Sequence, residues 1–148
     1  MVLEIDTPGH TASIAESHPD LIACFEKSPW ATYSHQPPPG QLRFASDAAT
    51  EFTKTIFEST LDLVQSQYFG TGGDEINEKC MVCPHSRFEL IEKLEDEETI
   101  ASLRENGWTL DEALNEFTAK THLPIMTRSK TPLVWQEMVC LLLILTLS

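Results

Sequence analysis

Apolar positions along the chain alternate between short runs and longer stretches of helical periodicity, the pattern of strands separated by helices. Val2-Leu3 leading into Glu4-Ile5-Asp6 reads as the end of a buried strand, and Thr7-Pro8-Gly9 stops it. From Thr50 to Val64, the residues Phe52, Ile56, Phe57, Leu61 and Val64 recur at helical spacing, and Tyr68-Phe69 follows as a short strand. A helix feeding a strand is one βα unit. Thr109 then opens a capping-box pattern with Glu112, while Leu110, Ala113, Leu114 and Phe117 give the next helix an apolar face. Leu133-Val134-Trp135 reads as the following strand, and Pro37-Pro38-Pro39-Gly40 as a rigid extended loop. The predicted class is α/β.

Two acidic turns carry the candidate chemistry. In the run Gly70-Thr71-Gly72-Gly73-Asp74-Glu75, a glycine pair precedes two acids, as expected where a strand ends and the backbone must turn tightly or let another group come close. On extended backbone, neighbouring side chains project oppositely, so Asp74 and Glu75 are expected to address different parts of one substrate. Close carboxylates also oppose each other's ionisation, which helps one remain a general acid while the other stays anionic. A solvated turn would use the same residue types. Upstream, Asp6 and His10 can meet across the Thr7-Pro8-Gly9 turn. Such a pair fixes an imidazole tautomer, ligates a metal, or simply satisfies a hydrogen bond. A metal-dependent hydrolase built on Asp6, His10, Asp74 and Glu75 is the poorer alternative, because a second histidine is lacking.

Glu4 to His10, Gly72 to Asn77 and Trp135-Gln136-Glu137 together resemble three ordered signatures of the beta-N-acetylhexosaminidases, glycoside hydrolase family 20, particularly its fungal members. Gln41-Leu42-Arg43-Phe44 and the stretch from Gly107-Trp108-Thr109 to Thr121-His122 are also similar to the fungal proteins. The resemblance implies a partial TIM (β/α)8 barrel, approximately strands three to five with their helices, with the site at the C-terminal strand ends. It implies hydrolysis of terminal N-acetyl-β-hexosaminides, including chitin oligosaccharides, by a retaining, substrate-assisted mechanism without cofactor or metal. In that scheme Glu75 is the acid and base, and Asp74 holds the acetamido N–H of the substrate. Asp6 and His10 orient the acid, and Trp135 walls the acetamido pocket. A noncatalytic sugar-binding or barrel-association piece is the competing reading. The resemblance further implies a secreted, vacuolar or lysosomal parent enzyme.

Several features qualify the resemblance. A whole barrel needs about 250 residues, and this chain has 148. The chain is therefore expected to be a fragment throughout residues 1–148, with exposed strand edges and a tendency to self-associate. Many relatives carry histidine where Gly70 stands. The family's sugar-gripping arginine, acetamido-binding tyrosine and last pocket tryptophan would lie outside the chain, so little or no turnover is expected. Val82 to Leu94 reads as an insertion and residues 139–148 as an aberrant tail. Met-Val-Cys occurs at both places, and a fungal intron donor commonly encodes Val-Cys, so retained-intron translation is the working explanation. Transcript sequencing that read through both stretches in mature message would remove it.

Charge narrows the partners. With 23 acidic against 10 basic side chains, the net charge is -13, and no basic stripe is available for nucleic acid. The acidic run Glu89 to Glu98 reads as a solvated helix face. No charged segment followed by an apolar core stands at the amino terminus, so no signal peptide is visible. Val139 to Leu147 is shorter than the about 18 apolar residues that span a membrane. Cys80-Met81-Val82-Cys83 with His85 makes only half of a zinc pattern, and spacing does not assign disulfides among Cys24, Cys80, Cys83 and Cys140.

Overall fold

The computed structural model describes residues 1–77, 80 and 96–135. The predicted insertion, the whole apolar tail, Cys83, His85, Gln136 and Glu137 lie outside them. Strand β1 (Leu3–Glu4) leads through two 3-10 turns, Ala12–Glu16 and Pro19–Leu21, into β2 (Ile22–Ala23), α1 (Trp30–Tyr33) and β3 (Gln41–Leu42). Then come α2 (Asp47–Leu61), β4 (Tyr68–Gly72), α3 (Glu97–Asn106), α4 (Leu110–Thr127) and β5 (Thr131–Val134). β2 and β3 form an antiparallel pair, whereas β1, β4 and β5 form a parallel sheet in that order. Parallel neighbours require crossovers, and the helices supply them.

Capping determines where the helices begin. α2 starts three residues before the expected Thr50, because the Ser46 hydroxyl accepts from the Ala49 amide at 3.1 Å. The Thr109 capping box forms as expected: Thr109 Oγ1 accepts from Glu112 N at 3.2 Å, and Thr109 N donates to the Glu112 carboxylate at 2.8 Å. α2 and α4 pack one face of the sheet, burying Phe57, Leu61 and Ile125 around Phe69 of β4. The Phe57 and Phe69 rings meet nearly edge-on at 5.3 Å. A second core gathers Ile22, Ala23, Leu42 and Phe44 from the hairpin region with Leu103, Leu114 and Phe117.

The reading of Glu89 to Glu98 as a solvated face needs correction within its described part. Asp96 is buried, accepts from Arg43 Nε at 2.9 Å and Nη2 at 2.9 Å, and caps α3 by accepting from Thr99 N at 3.0 Å. Glu98 also pairs with Arg43, at 2.8 Å. Cys80 is joined to Cys24 by a disulfide across 56 residues, which takes it out of the zinc half-pattern. The sheet face away from the helices stays open among the described residues, with Tyr68 50 % and Leu133 41 % exposed. Among those residues no helix is long and apolar enough to cross a membrane.

Candidate active site

β1, β4 and β5 run parallel, so the residues just beyond their C-terminal ends converge. Backbone bonds extend the registration past the strands: Ile5 N donates to Gly70 O at 3.0 Å, Thr7 N to Thr71 O at 3.0 Å, and Trp135 N to Gly72 O at 3.0 Å. Asp6 thereby arrives beside the glycine pair. Its Oδ1 accepts from the Gly73 amide at 3.2 Å. Gly72 has φ 74°, and a Cβ placed there would lie 1.7 Å from Asp6 Oδ1. The first glycine is therefore needed both for its conformation and for the approach of the acid.

Asp6 and Asp74 face each other. Burial raises the Asp6 pKa to about 6, the Gly73 N–H counteracts this, and the neighbouring Asp74 charge and a hydrogen bond with Asp74 add to the rise. Asp6 can hold a proton against Asp74 in mildly acidic solution. Glu75 instead turns toward His10, whose Nε2 lies 3.2 Å from Glu75 Oε2. Glu75 Oε2 and Asp74 Oδ1 are both buried with no hydrogen-bond partner among the described residues. Buried acceptors without a partner are uncommon, and each calls for a donor such as water, a bound ligand or a neighbouring group that protonates.

The extended backbone expected at the two acids is not what forms. Glu75 has φ 53°, a left-handed rather than extended backbone, and its partner His10 has the same φ of 53°. Each such non-glycine conformation costs about 1 kcal/mol or more and persists only where surrounding contacts hold it. His10 is not confined to Asp6 across the turn: its Nε2 makes a close contact with Glu75. Even so, ligand atoms of Asp6, His10 and Asp74 lie within 4.8 Å of one another, close enough to share a proton or to hold a cation.

Trp135 stands at the end of β5, tied by its amide to Gly72, with the side chain half-exposed. A cleft beside the acid is lined by His10, Tyr33, Ser34, Gln41, Glu75 and Asn77. Tyr33 and Ser34 of that set carry no signal in the sequence, because their relevance comes from a hairpin packed against a distant strand tip. His122 is likewise brought in from α4: its Nε2 lies 3.0 Å from Thr71 Oγ1, and burial lowers its pKa to about 4.

These observations define an α/β unit with a carboxylate and histidine site at the tips of parallel strands. The chain belongs to glycosyl hydrolase family 20, whose catalytic-domain model matches residues 1–143. It is similar to a beta-hexosaminidase of Arthroderma benhamiae, 30% identical over 139 residues that make up 93% of this chain and 20% of that protein. A chitooligosaccharidolytic beta-N-acetylglucosaminidase of Ostrinia furnacalis is 32% identical over 78 residues, 52% of this chain and 13% of that one. Among solved structures, the Flavobacterium johnsoniae chitobiase shares the fold with a TM-score of 0.65 at 20% identity, covering 92% of this chain and 19% of that chain. The chain thus spans about a fifth of the length of the Arthroderma and Flavobacterium proteins.

Proposed function

We propose that this chain carries the acid-bearing part of a site that hydrolyses terminal non-reducing N-acetyl-β-D-hexosamine residues, on approximately strands three to five of a (β/α)8 barrel. The observation that carries this reading is the pair of buried acceptors with no hydrogen-bond donor among the described residues, Asp74 Oδ1 and Glu75 Oε2, at adjoining strand-tip residues. In the reaction Glu75, protonated, donates to the glycosidic oxygen while the acetamido oxygen of the substrate attacks the anomeric carbon; Glu75 then takes a proton from water. Asp74 accepts the acetamido N–H and stabilises the positive charge of the oxazolinium intermediate. Asp6 holds Asp74 in place, His10 orients Glu75, and the Trp135 ring packs the acetamido methyl. A solved Vibrio harveyi relative of similar fold is described in complex with N-acetylglucosamine, which supports this sugar class. The Cys24–Cys80 disulfide supports an oxidising compartment, either secreted or vacuolar and lysosomal.

The test is hydrolysis of a chromogenic N-acetyl-β-glucosaminide by the purified chain, with Glu75→Gln prepared identically. Weak turnover is expected, falling by about a hundredfold or more in the variant; turnover that survives the substitution would refute the role of Glu75. The open sheet face carrying Tyr68 and Leu133 favours a second reading, a noncatalytic piece that binds sugar or docks to the rest of a barrel. N-acetylglucosamine binding with no hydrolysis in either protein would select it.

A further inference from the structure

We propose that Gln41 is a positioning residue for the Glu75 carboxyl, acting through Asn77; the inference rests on the glycosidase reading above. Gln41 is buried in β3, and both ends of its amide engage the same distant backbone unit. Its Nε2 donates to the Asn77 carbonyl at 3.0 Å, and its Oε1 accepts from the Asn77 amide at 3.0 Å. One side chain thereby does what a neighbouring strand would otherwise do for this segment.

Asn77 lies two residues beyond Glu75, whose left-handed φ needs support from both sides. On the upstream side Trp135 N binds Gly72 O, and Gly73 N binds Asp6. Gln41 supplies the downstream anchor. The same hairpin grips the chain once more: Ala23 is registered opposite Gln41, and the next residue, Cys24, is disulfide-linked to Cys80. Asn77 Oδ1 joins the two grips by accepting from Cys80 N at 3.3 Å, and Asn77 Nδ2 donates to Thr32 O at 3.4 Å. Gln41 also borders the cleft that His10 and Glu75 line, so a change there is transmitted over a short path.

Gln41→Leu removes both hydrogen bonds to Asn77, whereas Gln41→Glu keeps an acceptor for its amide. In the full chain, Gln41→Leu should speed hydrogen exchange at the Asn77 amide about tenfold while amides of α2 and α4 keep their protection. It should lower kcat about tenfold with KM within roughly twofold, since a misplaced acid affects the chemical step more than binding. Gln41→Glu should restore slow Asn77 exchange. Unchanged exchange, an unchanged kcat in a chain that turns over, or a uniform loss of protection overturns the proposal. If the wild-type chain shows no turnover, the glycosidase reading fails for the isolated chain and the nuclear Overhauser contact between Glu75 and the His10 ring decides: its loss in Gln41→Leu supports positioning, and its persistence overturns it.

Discussion

Asp6 and His122 respond to pH in opposite senses. Burial, reinforced by Asp74, raises the Asp6 pKa from 3.8 to about 6, so its contribution to stability is fully present below 3.8 and is lost as pH rises through 6. Burial lowers His122 from 6.5 to about 4, so its contribution is present above 6.5 and is lost as pH falls through 4. Between these limits the two slopes offset. Urea unfolding at pH 4, 5 and 6 should therefore show little net dependence from this pair in the wild type. Asp6→Asn should uncover a rise in stability with pH approaching about 1.4 kcal/mol per unit, and His122→Gln a fall. Parallel profiles for all three proteins would contradict this balance. Little of it was legible in the sequence. The acids and His10 announce themselves by type and spacing, whereas the proton sharing of Asp6 depends on a strand pairing that brings Asp74 across the sheet. Likewise, Gly-Gly signals a turn, but only the folded backbone reveals that Glu75 itself is left-handed.

Local rules succeed at the element scale where neighbours in sequence decide the outcome. The Thr109 and Glu112 box is such a case, since both partners of each bond lie within one helical turn. The acidic run shows where they fail. Charge pattern alone puts Asp96 in water, but Arg43, far away in sequence, forks onto both of its oxygens and removes it from solvent. Arg43 also binds backbone at Pro19, Nη1 donating to its carbonyl at 3.4 Å, so the guanidinium joins β3, the second 3-10 turn and the start of α3. Burial opposes both charges, but the hydrogen bonds between them, and those from Thr99 to Asp96, prevail and hold the Asp96 pKa down and the Arg43 pKa up. Removing one partner strands the other. Arg43→Ala should destabilise the chain by about 3 kcal/mol, whereas Arg43→Lys should recover only part of that, because an ammonium lacks the fork. Chemical denaturation of the two variants measures the difference; equal stability with the wild type would show that the pair contributes nothing net.

At the scale of the molecule, a parallel sheet is covered by helices on one face and, among the described residues, left open on the other, where Tyr68 and Leu133 lie in view. Sheets of this kind are ordinarily buried on both faces. The α/β class and the order of strands and helices could be read from periodicity, but the hairpin of β2 and β3 could not, because each strand has only two residues. That hairpin also anchors the covalent link. Cys24 and Cys80 close a ring that contains β3, α2 and β4 and restricts the unfolded chain by about 4 kcal/mol in the loop-entropy picture. The exposed stretch from His35 to Pro38 belongs to the same ring. A protease cutting there would leave a two-chain molecule that still holds Asp6 and Glu75 on opposite sides of the nick. Electrophoresis should show it migrating as one band until a reductant is added, and as two bands afterwards.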